Sequence, residues 1–195
     1  MTARRGLHPP ERVAEYVGRG WWTGETLDGL FRDTVAERGD APAIADPANR
    51  ADLLGSPPRR LTWSELDGEV TALAVWLLDL GLRRGDVLGV QLPNTVELAE
   101  AYLAAWSIGV VVSPLPMQFR EHEVGEAARQ AAFRAFLTVP DLAGRSPAAE
   151  VHALRDRLPG RRPGLADGGR PGHRGGDHRC RPRWSAAGTT GSVST

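Results

Sequence analysis

The chain has 195 residues, 41% of them hydrophobic, and a formal net charge of zero. That is enough for one domain with a hydrophobic core, and the neutral balance gives no bulk attraction to nucleic acid or to an anionic membrane surface. No stretch reaches the roughly 20 apolar residues of a membrane span, no apolar run follows Arg4 and Arg5 as in a secretory signal, and the single cysteine, Cys180, excludes an intrachain disulfide. A cytoplasmic protein without a nucleic-acid or membrane partner is expected. All 24 basic residues are arginine, so chemistry that needs a lysine ammonium cannot run on this chain alone.

Pro10-Glu11-Arg12 opens a short predicted helix through Tyr16, closed near Gly18. Thr26 starts a second, with Leu27, Leu30, Phe31 and Val35 on one face and Gly39 as its stop. Ala43–Ala45 reads as a short strand, Asp46 to Pro58 as a polar loop insertion, and Leu61–Trp63 as another strand. Ser64 is placed to cap the strongest helix, whose Leu66, Val70, Leu73, Leu77 and Leu80 form a continuous apolar stripe. Gly81 ends it. Val87–Leu92 is an apolar run of strand length, as in a strand covered on both faces. Asn94 or Thr95 caps the next helix, with Glu97 completing a capping box if Asn94 is the cap. That helix is expected to bury Leu98, Tyr102, Leu103 and Trp106 and to end at Gly109. Val110–Val112, a helix over Glu121–Phe133 and a strand over Ala135–Val139 follow. Alternation of this kind predicts an α/β fold: a doubly wound, largely parallel sheet with flanking helices over about residues 40–140.

The patterning stops near Pro159. From Gly160 to Pro182 the only large aliphatic residue is Leu165, amid Gly, Arg and Pro. Such a segment cannot offset its ordering entropy, so residues 159–195 read as a flexible tail. Its composition also fits GC-rich DNA translated in a shifted frame. His173, Asp177, His178 and Cys180 match no zinc-ligand spacing and read as chance neighbours.

Several blocks in order carry a resemblance. Leu61-Thr62-Trp63-Ser64-Glu65-Leu66, Leu80-Gly81-Leu82-Arg83-Arg84-Gly85-Asp86-Val87, Val90-Gln91-Leu92-Pro93-Asn94, Tyr102 to Val111 and Pro114-Leu115-Pro116 resemble the N-terminal domain of adenylate-forming (AMP-binding) acyl- and aryl-CoA synthetases. The opening, Pro9-Pro10-Glu11 to Tyr16 with Gly20-Trp21-Trp22 and Thr26-Leu27, resembles the branch holding 2,3-dihydroxybenzoate–AMP and cyclohexanecarboxylate–CoA ligases. The resemblance implies that residues 1–158 are the N-terminal part of a ligase domain. It implies ATP, Mg²⁺ and CoA as cofactors of full-length relatives and a cyclic or aromatic carboxylic acid as substrate. Ser185-Ala186-Ala187-Gly188-Thr189-Thr190-Gly191 is similar to the family's phosphate loop and makes Gly188, Thr189, Thr190 and Gly191 the candidate ATP contacts. The family continues that loop with a Pro-Lys-Gly type sequence, whereas here Ser192-Val193-Ser194-Thr195 follows. None of the matching scaffold residues is catalytic, so no catalytic residue and no metal ligand is assigned. The expectation is a truncated ligase, inactive alone. The alternatives are a non-catalytic binding or regulatory module and one part of a split ligase completed by another chain.

Overall fold

A computed structural model describes residues 8–155. Its elements, in chain order, are α1 (Pro10–Gly18), α2 (Leu27–Arg38), β1 (Pro42–Ala45), α3 (Arg50–Leu54), β2 (Arg60–Thr62), α4 (Trp63–Asp79), β3 (Val87–Gln91), α5 (Val96–Ser107), β4 (Val111–Pro114), α6 (Glu121–Ala131), β5 (Ala135–Thr138) and α7 (Pro147–Arg155). β1 and β2 pair antiparallel. The main sheet is parallel, in the order β4-β3-β5, with Leu88 opposite Val112 and Val90 opposite Leu137. The chain therefore leaves β3 toward one side, returns past it, and adds β5 on the other. With right-handed crossovers this places α5 and α6 on opposite faces.

Burial shows the two faces. On one, Leu88, Val90, Ala135 and Leu137 meet the stripe of α4 (Leu66, Val70, Leu73, Leu77) and the small residues Ala101, Ala104 and Ala105 of α5. On the other, Phe136 packs with Phe133, Leu115, Val124 of α6 and Leu154 of α7. The doubly wound α/β architecture expected from the alternation is the one observed. Leu73 and Leu77 are 1% and 0% exposed, and full burial of such side chains contributes roughly 1.5–3 kcal/mol each.

Gly89 sits at the centre of β3 on the face covered by Phe133 and Phe136. A Cβ there would lie 2.5 Å from carbon atoms of both rings, so the rings reach the strand only because no side chain is present. Gly81 and Gly109, just beyond α4 and α5, have φ of 88° and 71°, the left-handed turn their helix-stop role requires.

Four local expectations need correction. The cap of α4 is Thr62, not Ser64: Thr62 Oγ1 accepts from Glu65 N–H at 3.2 Å, and Glu65 Oε2 accepts from Thr62 N–H at 2.8 Å. Leu27 and Leu30 of α2 are exposed, while Phe31 is buried and Thr26 caps as expected by accepting from Gly29 N–H. α5 buries Val96, Glu100, Ala101, Ala104 and Ala105 fully, whereas Leu98, Tyr102 and Leu103 are half-buried at the edge of that core. The face is set by the close approach of α4, which selects alanines. The segment from Asp46 to Pro58 contains α3 and a buried arginine and is not a solvated insertion. No helix among the described residues is long and apolar enough to cross a membrane.

Candidate functional site: the crevice at the sheet switch point

In a parallel sheet all strands end at one rim, and a crevice opens between the two neighbours whose connections leave in opposite directions. Here those neighbours are β3 and β5. A cleft of about 330 Å³ lies at their carboxyl ends, lined by Leu92 and Thr95 after β3, Thr138 and Val139 at the end of β5, and Arg50, Leu54 and Glu97. A wider, shallower apolar depression adjoins it over β3 and β4, with Leu92, Leu98, Tyr102, Leu115 and Met117 in its wall. Thr138 is 4% exposed, and its Oγ1 has no hydrogen-bond partner among the described residues. At the same rim, Gln91 Nε2 donates to the carbonyls of Pro116 (2.9 Å) and Phe119 (3.0 Å) and ties down the segment after β4.

One wall of the cleft is an ionic cluster. Arg50 is bidentate to Glu97, with NH1 to Oε2 at 2.7 Å and NH2 to Oε1 at 2.6 Å. It also lies 3.0 Å from Asp46 Oδ2 and donates from Nε to Ser56 Oγ at 3.2 Å. Arg59 reaches Glu69 on α4 (3.0 Å) and both Glu97 (3.5 Å) and Glu100 (3.1 Å) on α5. Asp46 Oδ1 accepts the N–H of Val96 at 2.8 Å, so the first residue of α5 is satisfied by a carboxylate 50 positions earlier. Thr95 is the N-cap residue by position but makes no side-chain cap bond, and Glu97 is engaged by arginine instead of closing a box on Asn94.

Burial and partners split the two glutamates. Burial pushes Glu97 up, but hydrogen bonds from Arg50 and Thr95 outweigh it and hold the carboxyl at about 2. For Glu100, burial dominates, Arg59 opposes it, and the neighbouring carboxylates of Glu69 and Glu97 add to it, leaving the carboxyl at about 7. No local pattern marks this cluster, because its members come from three separate segments, the β1–β2 connection, α4 and α5.

The described residues do not fit a triphosphate. The α5 N-terminus, the natural anion site of such a fold, is occupied by the Asp46 carboxylate, and Arg50 is already paired with Glu97 and Asp46. No group of three or more His, Cys, Asp or Glu side chains suited to a metal ion occurs among the described residues. Gly188, Thr189, Thr190 and Gly191, like His173, Asp177, His178 and Cys180, lie outside the described residues. Chemically, the described part offers a shaped, partly polar crevice whose lining carries the paired Arg50 and Glu97 and the unpartnered Thr138 hydroxyl.

Comparison with known proteins adds the lineage. Residues 31–170 match the AMP-binding enzyme family. The salicyl-AMP ligase / salicyl-S-ArCP synthetase of Mycobacterium tuberculosis is 33% identical over 135 residues, which are 69% of this chain and 23% of that protein. The 2,3-dihydroxybenzoate-AMP ligase of Bacillus subtilis is 34% identical over 109 residues, 55% of this chain and 18% of that one. The apo structure of MbtA from Mycobacterium smegmatis superimposes with a TM-score of 0.54 at 30% identity, covering 66% of this chain and 23% of that one. The chain thus spans about a quarter or less of the length of these relatives. With the parallel order and its switch-point crevice already in place, a match over residues 31–170 settles the lineage: the chain belongs to the AMP-binding enzyme family.

Proposed function

We propose that this chain supplies the N-terminal α/β portion of an ATP-dependent ligase. Such a ligase activates a small aromatic or cyclic carboxylic acid as its acyl adenylate, with Mg²⁺, and passes it to a thiol, that of CoA or of a carrier protein. The observation that carries this reading is the match to relatives whose names specify salicyl-AMP and 2,3-dihydroxybenzoate-AMP. The parallel sheet with its crevice is the scaffold such chemistry is built on, and Gly188–Gly191 are the candidate phosphate contacts.

The 195-residue chain alone is expected to be inert. It contains no lysine, and its described residues present a crevice whose only guanidinium is already paired. Pyrophosphate release from ATP, Mg²⁺ and salicylate or 2,3-dihydroxybenzoate should therefore stay at background, and clear turnover by the isolated chain would overturn this. A chimera tests the ligase assignment itself. Residues 31–155, placed in the salicyl-AMP ligase in exchange for the matching segment, should retain salicylate-dependent pyrophosphate release. A folded but inert chimera counts against the proposal.

A further inference from the structure

The segment between β1 and β2 is closed at its neck. Asp46 N–H donates to Arg59 C=O and Arg59 N–H to Asp46 Oδ2, each at 2.9 Å, so Asp46–Arg59 forms an Ω-loop whose ends touch. Its polar grip on α5 consists of Asp46 on the N–H of Val96, Arg50 on Glu97, and Arg59 on both Glu97 and Glu100. The loop also contributes Arg50, Leu54 and Ser56 to the rim of the crevice. Whatever loosens those contacts opens the crevice on that side.

The charges in the cluster do not balance. Asp46, Glu69, Glu97 and Glu100 face only Arg50 and Arg59. Glu100 is the carboxyl worst placed to ionise. Its side chain is 2% exposed. It is approached by Arg59 from the loop neck, by Glu69 from α4, and by Glu97 one turn earlier on its own helix. Arg59 must serve all three carboxyls.

We propose that the Asp46–Arg59 loop is a proton-controlled strap on the crevice, held shut while Glu100 carries a proton and loosened when Glu100 ionises. A neutral Glu100 leaves the cluster one charge closer to balance and lets Arg59 hold Glu69 and Glu97. An ionised Glu100 competes for Arg59 and repels Glu97 beside Arg50. Burial of Glu100 together with the two flanking carboxylates sets this change near neutral pH. The inference stands apart from the ligase reading, since its readouts involve no turnover.

The test is amide hydrogen exchange of the full chain from about pH 6 to about pH 8, corrected for intrinsic exchange. Amides within residues 47–58 should gain a roughly tenfold larger open fraction across that range, while those in the middle of α4 and α5 do not. In Glu100→Gln, which keeps the neutral side-chain shape, loop protection should stay high and independent of pH. In Glu69→Gln, one repelling carboxylate is gone and Arg59 is freed for Glu100, so ionised Glu100 is better tolerated in the closed loop: the rise in open fraction should end at lower pH and be smaller between about pH 6 and about pH 8. Infrared spectra should show a protonated carboxyl band at about pH 6 that fades by about pH 8 and is missing in Glu100→Gln. An unchanged pH response in Glu100→Gln, or a flat wild-type response, overturns the proposal. Should Glu100→Gln fail to fold, an unshifted opening in Glu69→Gln or the lack of the carboxyl band in the wild type overturns it equally.

Discussion

Gly89 shows how a single missing side chain organises a face of this sheet. The neighbouring residues Leu88 and Val90 point into the α4–α5 core, and the gap at Gly89 is filled by Phe133 and Phe136. Gly89→Ala should lower stability by roughly 1–3 kcal/mol through overpacking, read from urea unfolding. Trimming the facing ring in Gly89→Ala/Phe133→Leu should recover part of that loss. If Gly89→Ala is neutral, the rings do not sit on the strand as described. A strand glycine in an apolar run is visible in the sequence, but what presses against it is not, because Phe133 and Phe136 lie more than 40 residues later.

Arg50 and Glu97 make the complementary case among polar residues. Both are largely buried, and removing one leaves the other with only its weaker ion pair, Arg50 with Asp46 or Glu97 with Arg59 at 3.5 Å. Arg50→Met alone is expected to cost about 3 kcal/mol or more. Arg50→Met/Glu97→Met should be less damaging than the sum of the single variants. A double-mutant cycle measured by chemical denaturation gives the coupling, and a value near zero would show that the bidentate pair contributes nothing.

At the scale of elements, the sequence was most legible where periodicity is long. The α4 stripe from Leu66 to Leu77 is buried as its spacing requires, and the alternation that follows builds the parallel sheet. Helix starts were less legible, since Thr62, Ser64, Asn94 and Thr95 all have cap chemistry and only the backbone path selects among them. Thr62→Ala should cost about 1 kcal/mol by removing the hydroxyl that accepts from Glu65 N–H, while the backbone N–H bond to Glu65 Oε2 is kept. Ser64→Ala should change stability by less than about 0.5 kcal/mol. Thermal melts of the two variants distinguish the caps, and equal losses would contradict the assignment. α3 was hidden because its five residues are too few for a helical period to register. The buried face of α5 is illegible for a related reason. Large apolar residues usually mark the buried side, but close helix packing selected Ala101, Ala104 and Ala105 instead.

For the whole molecule, the ionic cluster predicts two limbs in the dependence of stability on pH. The Glu97 carboxyl lies near 2 against an ordinary 4.5, so its stabilising contribution is complete above about 4.5 and is lost as pH falls toward 2. The Glu100 carboxyl lies near 7, so its contribution is present below about 4.5 and is lost as pH rises through 7. Melting temperature should therefore peak in the mildly acidic range. Glu97→Gln should flatten the acid limb, and a Glu97→Gln profile that keeps the wild-type acid limb would refute the assignment. Of the crevice itself, the sequence indicated only the parallel sheet that creates it. Arg50 and Glu97 line it, and the cluster behind them gathers Asp46 and Arg59 on one side and Glu69 and Glu100 on the other, a pairing that only tertiary structure makes.

The closed neck of the Asp46–Arg59 loop has one more consequence, for engineering and divergence. Because its two ends are hydrogen-bonded to each other, the chain between them can change length at little entropic penalty: each doubling costs only about 0.6 kcal/mol. The stretch around Gly55-Ser56-Pro57-Pro58 is thus a natural graft point. A peptide tag or an added binding segment could be spliced there while Asp46, Arg50 and Arg59 keep the hairpin anchored. Such an insert would be displayed at the mouth of the crevice, where it could monitor or modulate what enters.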